Sequence, residues 1–314
     1  MHQRHFFTPA KLTNPLATGS LEPMSESSIA SLAEGKLYAL QNAYELDGRV
    51  SSYPASARGF TAANCYLLKQ DDGALLLDTG YAAHEAAILE QLGVLLDAEL
   101  PLHLFPLRIN EFMSVCNAMP IAERFNVVAC YAPFPDVECW LDFNWDGRDG
   151  DRAAPLSVAT ALLGSEQQLQ VGSAGARPIE AFSAPIRLIN TSWIYDGTTR
   201  TLFTSDMFTH NWRDNPDGPW IIAGNDDAAT VDFVRSFLLN TRYWWLEGAA
   251  IDTLRRKVSD VFERYDIETI APGYGCIVQG RDLVAREFSV LDEVLRSLDK
   301  AVAAPQYVFR GMER

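Results

Sequence analysis

The chain has 314 residues, a formal net charge of −15 and 48% apolar residues, with a pI near 4.7. That length suits one large α/β domain or two small ones with a sizeable core. The negative field repels phosphate backbones and anionic lipid, so neither nucleic acid nor a membrane surface is an expected partner.

No apolar run approaches a membrane span. The start, Met1-His2-Gln3-Arg4-His5-Phe6-Phe7, lacks the long apolar segment of a signal peptide. Five scattered cysteines, Cys65, Cys116, Cys130, Cys139 and Cys276, form no Cys-x-x-Cys pair. They read as core thiols in a reducing compartment, and a cytoplasmic protein is expected.

Residues 1–33 are rich in Ser, Pro, Thr and Met without periodicity and read as a flexible or partner-packing arm. Residues 34–314 read as a single domain. Lys36–Leu46 mixes apolar and polar residues like an opening strand pair. Phe60–Gln70 and Ala74–Asp78 form a hairpin around Asp71-Asp72-Gly73. Leu75-Leu76-Leu77 is a continuous apolar run, as in a strand covered on both faces. Ala82–Leu96 carries Ile88, Leu92 and Leu95 on one helical stripe. Leu102–Leu107 reads as a buried strand, Phe112–Phe125 as a helix that Pro120 breaks or restarts, and Asn126–Tyr131 as a strand.

Residues 132–155 are a long loop with Trp140, Trp145 and several aspartates, the composition of a lid or an oligomer contact. Gln167–Val171 and Pro178–Phe182 read as strands. Pro185–Asn190, Trp193–Tyr195 and Thr201–Ser205 read as a second hairpin set. Asp227–Leu239, Gly248–Arg264 and Arg281–Leu298 are amphipathic helices, with a strand at Ile267–Ala271 and a turn at Pro272–Gly275.

The stretch from Asn64 through Asp78-Thr79-Gly80 to Phe112 resembles the opening half of the metallo-β-lactamase superfamily. There a hairpin ending in Asp-Thr-Gly precedes a helix, a buried strand and a metal-binding loop. Leu202-Phe203-Thr204-Ser205-Asp206-Met207-Phe208 and Ile270-Ala271-Pro272-Gly273-Tyr274-Gly275 are similar to two later motifs of its flavodiiron branch. The resemblance covers about Leu37–Leu298. It implies a four-layer αββα sandwich and a homodimer; no flavin-binding segment is expected.

By position, the family's metal ligands fall on Leu107, Ile109, Glu111, Phe112, on Leu188 or Asn190, on Asp206 and on Tyr274. Leucine, isoleucine and phenylalanine donate no electron pair, so the resemblance implies a degenerate site without the usual metals. The same fold would gather Arg108, Asn110, Glu111, Asn190, Asp206, His210 and Tyr274, with Trp193 on a neighbouring segment.

Glu111, Asp206 and Tyr274 are the candidate acid–base groups. Arg108, Asn110, Asn190, Trp193 and His210 are candidate substrate contacts. Leu107, Ile109 and Phe112 could equally fill the former metal cavity, with Arg108–Glu111 a structural ion pair. Three functions fit: a metal-independent, hydrolase-like enzyme on a small molecule, a non-catalytic small-ligand-binding pseudoenzyme, and an iron or zinc enzyme with a relocated set such as Glu111, Asp206 and His210. His210 lies four residues after Asp206, the spacing at which two ligands share a helix face.

His84 is expected exposed and His103 in the core or at a strand edge. Asp142-x-Asn144-x-Asp146-Gly147 matches half a calcium loop, but Ala153 stands where a bidentate Glu is needed. It reads as a polar turn. Cys276 reads as a buried thiol.

Overall fold

The computed structural model describes residues 27–133, 158–164, 166–173, 177–224 and 229–298. The loop tryptophans Trp140 and Trp145, the half calcium loop and most of the N-terminal arm lie outside the described residues. The first half of the chain runs β1 (Ser27–Ala33), β2 (Leu37–Glu45), β3 (Phe60–Gln70), β4 (Gly73–Leu77), α1 (Glu85–Leu95), β5 (Leu102–Phe105), α2 (Phe112–Val115), α3 (Ala118–Arg124), β6 (Val127–Ala132) and β7 (Ala159–Leu162). The second half runs β8 (Glu166–Gln170), β9 (Pro178–Ser183), β10 (Ser192–Asp196), β11 (Thr201–Ser205), β12 (Ile221–Ile222), α4 (Val231–Leu239), α5 (Ile251–Arg264), β13 (Thr269–Pro272), β14 (Ile277–Gln279) and α6 (Arg281–Leu298).

The first sheet keeps chain order, β1 to β7, and the second runs β12-β14-β13-β11-β10-β9-β8. The first four strands are antiparallel, whereas β4, β5, β6 and β7 pair in parallel. The layering follows from period-two alternation. Leu75 and Leu77 of β4 face the second sheet, where Ile194, Phe203 and Ala271 meet them. Leu76 points the other way, into a layer with Ile88 and Leu92 of α1 and Ile121 of α3. On the far side α4, α5 and α6 cover the second sheet through Phe237, Val258 and Leu291. This is the αββα sandwich. Among the described residues, no helix is long and apolar enough to cross a membrane.

Several expectations are corrected. Residues 27–33 are not part of an arm: they form β1, whose edge pairing with β2 turns Lys36–Leu46 into one strand rather than two. The helix expected at Phe112–Phe125 is split between Cys116 and Asn117, and Pro120 falls in the first turn of α3, where a missing N–H breaks no helical bond. Residues 184–191 form no strand and lead into β10 as a loop. Helix α4 starts at Val231, capped by the Thr230 hydroxyl, which accepts from Phe233 N. His84 is buried against Tyr44 and Tyr81, where burial pushes its imidazole down.

The two sheets are clamped at one end by Arg177. It is fully buried and paired with the equally buried Asp196 at the end of β10. It also donates to Lys36 O (2.7 Å) and Lys69 O (3.2 Å) of the first sheet. Replacing Arg177 with Met would leave Asp196 charged, dry and alone. We expect Arg177→Met to cost about 3–5 kcal/mol in urea unfolding; a loss under about 1 kcal/mol would show the clamp to be dispensable.

Candidate functional site

The site lies at the other end of the sandwich, where four loops leave the sheets. Asp78 follows β4 and takes a positive φ of 60°. Its Oδ1 accepts from Leu107 N at 2.8 Å, tying the end of β4 to the loop after β5. Gly80, at φ 81°, comes so close to Ile88 that a Cβ there would sit 2.1 Å from Cδ1, so the turn demands glycine.

In the loop after β5, Leu107 packs between the two sheets and Ile109 packs under α1 and α3. Arg108, between them, is turned into the site. Asp206 follows β11, where Ser205 (φ 55°) and Phe208 (φ 63°) are both left-handed, a conformation costly for non-glycine residues.

The Gly273–Gly275 turn is docked on β3 by backbone bonds from Asn64 N to Gly273 O and from Gly275 N to Ala62 O, both 2.9 Å. The Asn64 side chain adds bonds to Pro272 O and Gly275 O, each 3.0 Å. These place Tyr274, wholly buried, over Arg108, whose Cζ is 4.9 Å from the ring centre.

Arg108 is sealed from solvent and surrounded by three carboxylates. It bonds Asp206, stands 2.7 Å from Glu111 Oε2 and 3.6 Å from Asp78 Oδ2. A second guanidinium, Arg242, closes the outer side. It bonds Glu111 Oε1 at 2.6 Å and Asp206 Oδ2 at 3.3 Å, and is steadied by Ser51 Oγ at 3.1 Å. Glu111 and Asp206 thus each bridge the same two cations. Tyr274 OH donates to Glu111 Oε1 at 2.8 Å, and Tyr81 OH lies 3.0 Å from Tyr274 OH.

The electrostatics follow from burial and pairing. Burial opposes the charge on Arg108, but Asp206 and Glu111 outweigh it and hold its proton more tightly than water would. Burial pushes Glu111 up, while Arg108 and Arg242 together pull it further down, to about 2. Burial dominates at Asp206 and Asp78 and holds both above the ordinary carboxyl value, against the pull of Arg108. The Tyr274 and Tyr81 phenols are pushed up by burial and serve as neutral donors. On acidification Asp206 and Asp78 therefore take up protons before Glu111.

Of the residues marked in the sequence, the structure gathers Arg108, Glu111, Asp206 and Tyr274. It leaves the others out. Asn110 and Asn190 are exposed and make no side-chain hydrogen bond among the described residues. Trp193 is buried on the helix-covered face of β10, against Phe182 and Phe208, away from the Arg108 cluster. His210 is not on a helix, because the chain turns left-handed at Phe208. Its Nε2 lies 3.2 Å from Glu287 of α6, among Phe233 and Phe237. Phe112 is 68% exposed and fills no cavity, unlike Leu107 and Ile109.

Sequence reasoning missed Arg242, Asp78 and Tyr81. Asp78 opens the Asp-Thr-Gly motif and Tyr81 follows it, so both could have been found from it; Arg242 carries no local signal.

Among the described residues, no group of three or more His, Cys, Asp or Glu is placed to hold an ion. Of the site's three carboxylates, Glu111 and Asp206 are each bridged by the same two guanidinium groups, and Asp78 lies 3.6 Å from one of them.

No family model matches the chain, and no curated protein is similar to it. Solved structures are similar in fold. Rubredoxin oxygen:oxidoreductase from Desulfovibrio gigas aligns with a TM-score of 0.63 at 13% identity, over 86% of this chain and 62% of that one. A mutant flavo di-iron protein from Thermotoga maritima gives 0.60 at 14% identity, over 87% and 62%. A putative diflavin flavoprotein fragment from Nostoc gives 0.58 at 15% identity, over 88% of this chain and 99% of the fragment. The chain therefore spans less than two thirds of the first two. What it shares with all three is the α/β fold of the flavodiiron β-lactamase-like domain.

Arg242 offers a test of the site's charge balance. Glu111 titrates at about 2 when folded, against an ordinary 4.5. A depressed carboxyl contributes stability that is present above the ordinary value and lost as pH falls toward the folded one. In Arg242→Gln the folded value moves back up and that contribution shrinks. The acid-unfolding midpoint should rise, and stability at neutral pH should fall by about 1–3 kcal/mol. An unchanged midpoint would show that Arg242 does not hold Glu111 down.

Proposed function

We propose that the chain is a metal-independent small-ligand-binding protein on a flavodiiron-type β-lactamase fold, in which two guanidinium groups stand where dimetal members hold cations. The observation that carries this reading is Arg108, wholly buried and contacted by Asp78, Glu111 and Asp206. A carboxyl held at about 2 is a weak base, and Glu111 is further occupied by Arg242 and Tyr274. These features favour binding over turnover. The ligand would enter beside Arg242, the most accessible of the site's charged side chains at 17% exposure. Exposed Phe112 and Trp244 follow Glu111 and Arg242 closely in the chain, and exposed Leu188 lies on the loop before β10.

A second reading, a hydrolase-like enzyme, is favoured by one observation. Burial raises Asp206 while the arginines depress Glu111, and neighbouring carboxyls with separated protonation can share acid and base roles.

The first test is elemental analysis of protein purified without chelators, beside Asp206→Ala. We expect metal far below one equivalent in both; stoichiometric iron or zinc that is lost in the variant would overturn the proposal. A thermal-shift screen of small metabolites should then find compounds that raise Tm without being consumed. Turnover of a chromogenic ester that Asp206→Asn abolishes, with Tm nearly unchanged, would move the assignment to the second reading.

A further inference from the structure

A separate groove lies on the outer side of the second sheet and shares no residue with the Arg108 site. It runs between the end of β9 with its following loop, Phe182–Arg187, and the face of α5 that carries Lys257, Asp260, Val261 and Arg264. Its volume is about 310 Å³, within the range of small-molecule sites. A second hollow of about 220 Å³ continues it, sharing Phe182, Arg264 and Tyr265 and adding Gln167, Gln168 and Glu180.

The lining charges are unusual for a chain with 41 acidic and 26 basic residues. The main groove is lined by Arg187, Lys257 and Arg264 against a single acid, Asp260. The three cations come from two segments far apart in sequence, so their convergence is a product of the fold. Two are oriented. Arg187 donates to Ala184 O at 2.6 Å through one nitrogen, and four of its five N–H donors remain. Arg264 bonds Glu180 at 2.7 Å, and its guanidinium lies 5.0 Å from the Tyr265 ring centre. Lys257 is exposed and has no counter-ion among the described residues.

Two aromatic residues, Phe182 and Tyr265, line the groove. The rings of Phe182 and Tyr265 stack at 5.6 Å with 17° between planes. Tyr265 OH bonds Glu180, which fixes the ring. An aromatic wall edged by three cations, two of them oriented, and followed by two amide side chains suits one chemistry. We infer that this groove binds a small planar organic oxyanion. Its carboxylate or phosphate group sits at Lys257 and Arg187, its ring packs against the Phe182–Tyr265 wall, and a polar edge reaches Gln167 and Gln168. Carboxylates and phosphates share this chemistry, and the probes separate them.

The test is titration calorimetry of the full chain at low ionic strength with benzoate, adenosine monophosphate and inorganic phosphate. The same titrations are run on Lys257→Glu/Arg187→Glu, two exposed positions whose replacement leaves the core intact. At least one aromatic probe should bind ten times more tightly than inorganic phosphate, and the double variant should weaken it at least tenfold while its Tm stays within a few degrees of the parent. Benzoate or adenosine monophosphate as the tighter probe assigns the head group. The inference is overturned if no probe binds, if phosphate alone binds as well as the aromatic probes, or if the charge reversals leave binding unchanged. A double variant that unfolds is replaced by Lys257→Gln, for which a threefold or smaller loss is the overturning result.

Discussion

A guanidinium sealed from water persists only where opposite charge surrounds it. Arg108 meets that condition with carboxylates from three segments, after β4, within its own loop and after β11. Each segment is in turn held by backbone: Leu107 N on Asp78, Glu111 N on Arg108 O, and Gly273 N on Ser205 O. The neighbours of Arg108 anchor in opposite directions, Leu107 between the sheets and Ile109 under the helices. Removing Glu111 or Asp206 would take a shared partner from both guanidiniums in a place water hardly reaches.

The β10–β11 hairpin has a buried arginine at each end. Asp196, beside the turn, takes Arg177; Asp206, at the open end, takes Arg108. The first pair is closed on both sides and reads as structure alone. The second is part of a larger set, with three carboxylates for two guanidiniums and two phenols in line. It therefore carries an excess of negative charge that burial relieves by holding Asp206 and Asp78 above their ordinary values. That imbalance sets it apart from the closed Arg177–Asp196 pair.

Much of the sandwich was legible because its strands announce themselves locally. Asp71-Asp72-Gly73 marks one hairpin, and the unbroken Leu75-Leu76-Leu77 marks a strand with cover on both faces. The site was legible where a motif carried it, at Asp206, Glu111 and Tyr274. It was not legible at Arg242, which bonds Glu111 across 131 residues from the end of α4, where nothing in the local sequence sets it apart. Trp193 was misplaced although the alternation was there to read: Ile194 faces the other sheet, so Trp193 must face the helices. His210 was misplaced because i,i+4 spacing has meaning only on a helix, and the left-handed Phe208 prevents one. The edge strand β1 was lost in a stretch whose composition says coil until β2 supplies its partner.

The docking of the Gly273–Gly275 turn on β3 has a consequence for how the molecule comes into being. Asn64 reaches Gly275 across 211 residues, and Arg108 reaches Asp206 across 98. Closing such loops costs entropy before any contact repays it. On a ribosome, Asn64 emerges long before the carbonyls it will bind have been translated. The β2–β3–β4 meander can form from its own residues, but the tyrosine that covers the arginine comes from nearly the last strand pair. Until Asp206, Arg242 and Tyr274 have been made, the first half carries Arg108 with only Asp78 and Glu111 for company, so the charged centre cannot be complete before the second half exists.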